Sequence, residues 1–157
     1  MPTGRIASIN ISPGGVPKLP VEQARVRRLG LDGDAHASPT HGGPFAAVSI
    51  YSLEAIARVA ADGHQAFPGA YGENLTLEGL ELDAFRAGDL LRIGDAGLVL
   101  ELRSRAEPCT KLNRWFVDER IGRIASKAYP ADARWYASVL EEGPVATGDA
   151  VELVRTA

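Results

Sequence analysis

Apolar positions along this chain come in short runs, separated by glycine, proline and charged residues. In GRIASINIS (4–12), Ile6, Ile9 and Ile11 stand among small or polar residues and SPGGVPKLP follows, which predicts a strand running into a loop. VEQARVRRLGLDGD (21–34) sets Val21, Val26 and Leu29 among charges, predicting another strand before a glycine-punctuated loop that lasts to HGGP (41–44). FAAVSIY (45–51) is β-branched and aromatic enough for a buried strand. Helical spacing is clearest in SLEAIARVAADGH (52–64). There Leu53, Ile56, Ala57 and Ala60 share a face, Ser52 can cap the start and Gly63 can end it.

Further on, ENLTLEGLEL is strand-like and then turns. GDLLRIG (88–94) and GLVLELRS (97–104) are joined by Asp95-Ala96 and form the plainest hairpin pattern. LNRWFVDERIGRIASKAY has mixed helical character, whereas RWYASVL and GDAVELV predict two closing strands. Short strands around one helix predict a mainly β, α+β fold: a closed or partly closed β-barrel with flanking helices. No internal repeat or interior linker divides the pattern, and 157 residues suit one domain over 1–157.

Composition changes this picture little. The chain is 45% apolar and 24% charged, as ordinary globular proteins are, and its 17 glycines and 10 prolines favour many turns. A net charge of −3 lacks the basic excess of a nucleic-acid binder, so no nucleic-acid partner is expected. No apolar run approaches the roughly 18 residues of a membrane span, so no membrane partner is expected. MPTGRIASINISPGG lacks the regions of a secretory signal, and one cysteine excludes an internal disulfide, so a cytoplasmic setting with a reduced thiol is expected.

Charge distribution is more telling. From Arg103 to Arg134 there are eight cations against Glu107, Asp118, Glu119 and Asp132, in a chain of net −3. The sole cysteine, Cys109, lies in that stretch, within RAEPCTKLNRW (105–115). Neighbouring cations favour the thiolate, which is both a nucleophile and a soft-metal ligand, and they also attract anions. Pro108 removes a donor and stiffens the approach to the thiol. The competing reading is an inert buried cysteine beneath a solvated charged face.

GLDGDAHASPTHGGP gathers Asp32, Asp34, His36 and His41 between glycines. For Asp34 and His36 this suits a ligand-facing loop, or equally a polar loop whose side chains satisfy backbone groups, whereas His41, before Gly42-Gly43, is read as ligand-facing; the His-x4-His spacing matches no zinc pattern. Asn74 can fix either a polar ligand or a neighbouring loop. His64, at the predicted helix end, is read as a cation favourable to the helix dipole.

Taken in order, GLDGDAHA, THGGPFAAVSIYS, GENLTLEGL, GDLLRIGDAGLVLEL, SRAEPCTKL and RWYASVLEEGPVATGDAVEL resemble the MOSC domain, named for the C-terminal part of molybdenum cofactor sulfurases. The resemblance covers about residues 4 to 155 and implies a β-barrel-like fold with one functional cysteine. That cysteine, here Cys109, would ligate molybdenum in a molybdopterin cofactor or carry sulfur as a persulfide. The amidoxime-reducing components and hydroxylaminopurine-resistance proteins are similar; they bind molybdenum cofactor and reduce N-hydroxylated substrates with electrons from a partner. By that resemblance Arg105, Lys111, Arg123 and Lys127 would hold the pterin's phosphate and polar edge, with His41, Asn74 and Asp34 facing the same pocket. The chain is expected to lack the N-terminal barrel of the amidoxime-reducing proteins, a sulfurase module, and any iron–sulfur or haem segment. An external electron or sulfur donor protein and a small-molecule substrate are therefore the expected partners. Besides cofactor binding and sulfur transfer, two further functions are weighed. One is a non-catalytic anion-binding module. The other is a cofactor-free hydrolase with Cys109 as nucleophile and His41 as base.

Overall fold

The computed structural model describes residues 2–35 and 42–156. In chain order the strands are β1 (Thr3–Ile11), β2 (Leu19–Val21), β3 (Gln23–Arg27), β4 (Gly30–Leu31), β5 (Val48–Ser52), β6 (Leu75–Glu78), β7 (Leu90–Ile93), β8 (Leu98–Ala106), β9 (Arg134–Glu141), β10 (Gly143–Ala146) and β11 (Ala150–Val154). The helix α1 (Leu53–Ala61) lies between β5 and β6. Seven strands close a barrel in the order β1-β6-β5-β9-β8-β7-β11, and β11 returns to pair with β1. Their pairings are antiparallel except β5–β6, which is parallel and joined through α1. A parallel pair needs such a crossover, because a tight turn cannot reverse the chain twice. β2 continues alongside the end of β1, and β3, β4 and β10 make a separate three-stranded sheet.

Period-two alternation sends one face of each barrel strand inward. Leu98, Leu100 and Leu102 of β8 are buried, as are Leu91 and Ile93 of β7 and Val151 and Leu153 of β11. Ile50 pairs with both Trp135 and Leu75, which puts all three on the inner face. The Trp135 indole N–H donates to the carbonyl of Leu82 at 2.9 Å, so the buried ring leaves no orphan donor. The barrel is filled with side chains rather than hollow.

The predicted hairpin forms as β7 and β8, in register from Leu90↔Glu101 to Ile93↔Leu98. The helix is capped as expected, its Ser52 hydroxyl accepting from the Ala55 N–H at 3.0 Å. Its buried face differs, however: Ala55, Ile56 and Val59 are covered, while Ala57 and Ala60 are exposed. Rotating the helix to bury Val59 removes more apolar surface from water than two methyl groups would. The strand expected over 21–34 is split between β3 and β4, and β10 arises within a stretch that carries no alternation. Between β8 and β9 the chain runs as a strap of short 3-10 turns, Thr110–Trp115, Val117–Glu119 and Ile121–Ile124.

This strap is tied to the end of α1. Arg123 bridges Asp62 (2.7 Å) and Asp132 (2.8 Å), and Asp132 also holds Arg58 of α1 at 2.7 Å. The Gln65 N–H donates to the Trp115 carbonyl at 2.9 Å. The Val117 N–H donates to Nδ1 of His64 at 3.0 Å, which ties the residues after α1 to the strap a second time.

Candidate functional site

A cavity of about 140 Å³ lies outside the barrel wall, over β5 and β9. Register explains its place. Ser49 pairs with Tyr136, on the face opposite the inward pair Ile50 and Trp135. Both Ser49 and Tyr136 line the cavity, as does Arg134, two residues back along β9. Gly15, Val16 and Lys18 close one side, Tyr71, Gly72 and Asn74 another, and Glu107, Cys109 and Lys111 of the strap the third.

Cys109 is exposed, with extended backbone just before the first 3-10 turn. Its carbonyl accepts from the Leu112 N–H at 3.0 Å, which sets the turn that carries Lys111 to the same rim. The buried, inert cysteine weighed from composition is therefore not what forms.

Asp34 and Asn74 meet below the cavity. Asp34 accepts from the Ser12 N–H (3.0 Å), the Lys18 ammonium (2.5 Å) and the Asn74 amide (2.9 Å). Asn74 also donates to the Asn10 carbonyl at 3.2 Å and accepts from the Ser49 N–H at 3.1 Å. Both side chains thus have their hydrogen-bonding capacity committed to holding three segments together. Lys18, which sequence reasoning missed, is nearly buried and is neutralised by Asp34. Nothing in the local pattern of SPGGVPKLP marks it.

Neighbouring Glu73 is fully buried, accepting from the Gly69 N–H and the Thr76 hydroxyl, both at 3.0 Å. Burial raises its carboxyl above the usual range, against the lowering effect of those hydrogen bonds and of Arg134. Glu107 behaves oppositely. Burial disfavours its charge, but the Ser126 hydroxyl and N–H, together with the charges of Arg105 and Arg134, outweigh that and hold the carboxyl below its usual range.

The cation set differs from the one drawn from the resemblance. Lys111 lines the cavity; Arg105, Arg123 and Lys127 do not. A bulge in β8 explains Arg105: the register passes from Leu102↔Ala137 to Ser104↔Tyr136, skipping one residue. That slip turns Arg105 to the Trp135 side of the sheet, where it lies over the indole and donates to the carbonyls of Pro130 and Ala133. Arg123 is spent on Asp62 and Asp132, and Lys127 is exposed on the strap. His41, like His36, lies outside the described residues.

In their place stands Arg134, only 7% exposed. It donates to the carbonyls of Tyr71 (2.5 Å) and Ala106 (3.4 Å), its Nε has no partner, and among the described residues it has no ion pair. The signal was present in RWYASVL, whose alternate positions 134, 136 and 138 are polar and so face out of the barrel. Among the described residues no group of three or more His, Cys, Asp or Glu could hold a metal. A metal at Cys109 would take its other bonds from a bound ligand.

A closed barrel with one exposed thiol and a buried guanidinium in a cavity on its outer wall is the class of protein that fold and site define. The MOSC domain model matches residues 37–152, and the chain belongs to that family. It is 32% identical to YflK of Bacillus subtilis over 153 residues and 31% identical to YiiM of Escherichia coli over 148. Those matches take in 89% and 90% of this chain but 63% and 64% of the relatives, so the chain spans just under two thirds of their length. The crystal structure of Escherichia coli YiiM superposes with a TM-score of 0.74 at 26% identity, over 98% of this chain and 71% of that one. A protein of Gibberella moniliformis named as a reductase is 32% identical over 130 residues, 80% of this chain and 23% of the longer protein.

Proposed function

We propose that this chain binds a molybdenum–pterin cofactor at the cavity, with the Cys109 thiolate as the protein's ligand to the metal. The loaded protein would reduce N-hydroxylated or related small molecules with electrons from a partner protein. One observation carries the reading: in a MOSC domain the sole thiol stands exposed at the mouth of a cavity lined by cations. The reductase name of one relative supports the reaction class.

The residues present fit such a group. Cys109 offers one soft donor and leaves the remaining coordination to the cofactor. Arg134 and Lys111 supply positive charge for its anionic edge, while Tyr136 and Ser49 line the wall between them. When bound, the cofactor supplies a redox-active metal, which no side chain of this protein can replace. The chain's own part is to present a thiolate, to orient the anionic edge against Arg134, and to keep the Lys18–Asp34–Asn74 support rigid beneath. No helix of the described residues is long and apolar enough to cross a membrane, and the free thiol suits the reducing cytoplasm.

Exposure of Cys109 favours a second reading, a sulfur carrier whose thiolate takes sulfane sulfur from a donor and passes it to an acceptor. Metal analysis separates the two. Protein made in a cofactor-competent host is expected to hold near-stoichiometric molybdenum and pterin, both lost in Cys109→Ala. Absence of both from the wild type rejects the metal-ligand role, and a persulfide on Cys109 in mass spectra would then establish the carrier.

A further inference from the structure

We propose that a pocket of about 160 Å³ on the outer face of β8 and β9 binds small neutral aromatic molecules that carry a hydrogen-bonding group. It shares no lining residue with the cavity at Cys109, and it needs neither the thiol nor a metal. Alternation places it. Ser138 follows Arg134 and Tyr136 along the outward positions of β9 and pairs with Glu101 of β8. The extra residue of the β8 bulge is Arg103, which the register skips between Leu102 and Ser104. A bulge re-aims the side chain it frees, and Arg103 lies over the Phe45 ring, 4.5 Å from its centroid.

Aromatic, polar and electrostatic features together define the occupant. Phe45 is 63% exposed, yet the guanidinium of Arg103 covers one face of its ring and holds it in place. Beside Pro44 and the exposed Leu140, this ring offers flat apolar contact to another ring. Ser138 is only 8% exposed, and its hydroxyl has no hydrogen-bond partner among the described residues. A buried polar atom left unbonded is costly, and a turn about the Cα–Cβ bond towards the pocket breaks nothing. A ligand that bonds this hydroxyl removes the cost. Charge at the rim is already balanced. Arg103 pairs with Glu101 at 3.0 Å, and the Glu142 carboxylate accepts from the Arg28 N–H at 2.7 Å. Two cations beside two carboxylates leave no net charge to draw an ion out of water, so a neutral molecule is favoured. The volume suits a single substituted ring and is small for a cofactor.

Benzamide and toluene are the probes, one with a hydrogen-bonding group and one without. Each is titrated into the cofactor-free chain while backbone amide resonances are followed by NMR. Benzamide is expected to shift the amides of Phe45, Arg103 and Ser138 and to leave those of Gly72 and Cys109 in place. Ser138→Ala should weaken benzamide about fivefold without weakening toluene, while Phe45→Leu weakens both. The unfolding midpoint of Ser138→Ala should be no lower than that of wild type, since the hydroxyl removed bonds nothing. Equal weakening of the two probes in Ser138→Ala, or none, overturns the proposal. So does a lowered midpoint, or benzamide shifts confined to Gly72 and Cys109. Should Ser138→Ala fail to fold, Phe45→Leu decides at an exposed position, where unchanged affinity for both probes overturns it. Failure to load molybdenum would leave these titrations unchanged, so the two proposals fail separately.

Discussion

Glu73 is buried to the last atom, one residue from the cavity-lining Asn74, and one of its carboxyl oxygens has no partner. Its raised pKa, caused first by burial, means the native protein keeps that proton after the unfolded chain has released it. In that window the native state binds more protons, so stability is full below the ordinary glutamate range and falls as pH rises through the native value. Glu73→Gln, neutral at every pH, is expected to flatten this slope. Its stability relative to wild type should rise with pH in denaturant titrations over the acidic to neutral range. Single residues also show what a sequence conveys. Cys109 was legible because a lone thiol among cations is conspicuous in any fold. Arg105 was misleading because its direction depends on a bulge in β8 that no periodicity announces, and Arg134 was passed over because its burial depends on the strap folding above it.

At the scale of elements, the cavity depends on how closely separate segments approach. Gly69 has φ +87, and a Cβ there would stand 2.0 Å from the carbonyl oxygen of Lys18. Its own carbonyl accepts from the Lys18 N–H at 2.8 Å, so this glycine is where the 15–18 wall rests on the chain before β6. Gly69→Ala combines a backbone clash with an unfavourable φ and should cost about 3 kcal/mol in chemical unfolding. It should also speed alkylation of Cys109 if the displaced wall opens the cavity. The hairpin of β7 and β8 and the capped α1 could be read locally because turn residues, alternation and capping are properties of contiguous sequence. The three-stranded sheet was not legible, since β3 and β10 meet only through register between Gln23–Arg27 and Gly143–Ala146.

For the whole molecule, closure is the organising fact. Pairing of Thr3 with Glu152 and Arg5 with Ala150 joins the two ends of the barrel sheet and removes its free edges. Amide exchange is expected to be slowest across the seven barrel strands, including the β1–β11 seam, and faster in β2, β3, β4 and β10. A seam that exchanges with the small sheet would show that the barrel opens there first. The alternation of short strands was enough to predict a barrel, closed or partly closed; full closure follows from contacts between residues nearly a chain length apart.

The strap that bears Cys109 is fastened to α1 through Arg123, Asp62, Asp132 and Arg58, and to the residues after that helix through Trp115 and Val117. In mechanical terms the thiol sits on a lever pinned to a helix none of whose residues lines the cavity. A ligand that pulls on Cys109 loads that helix as well.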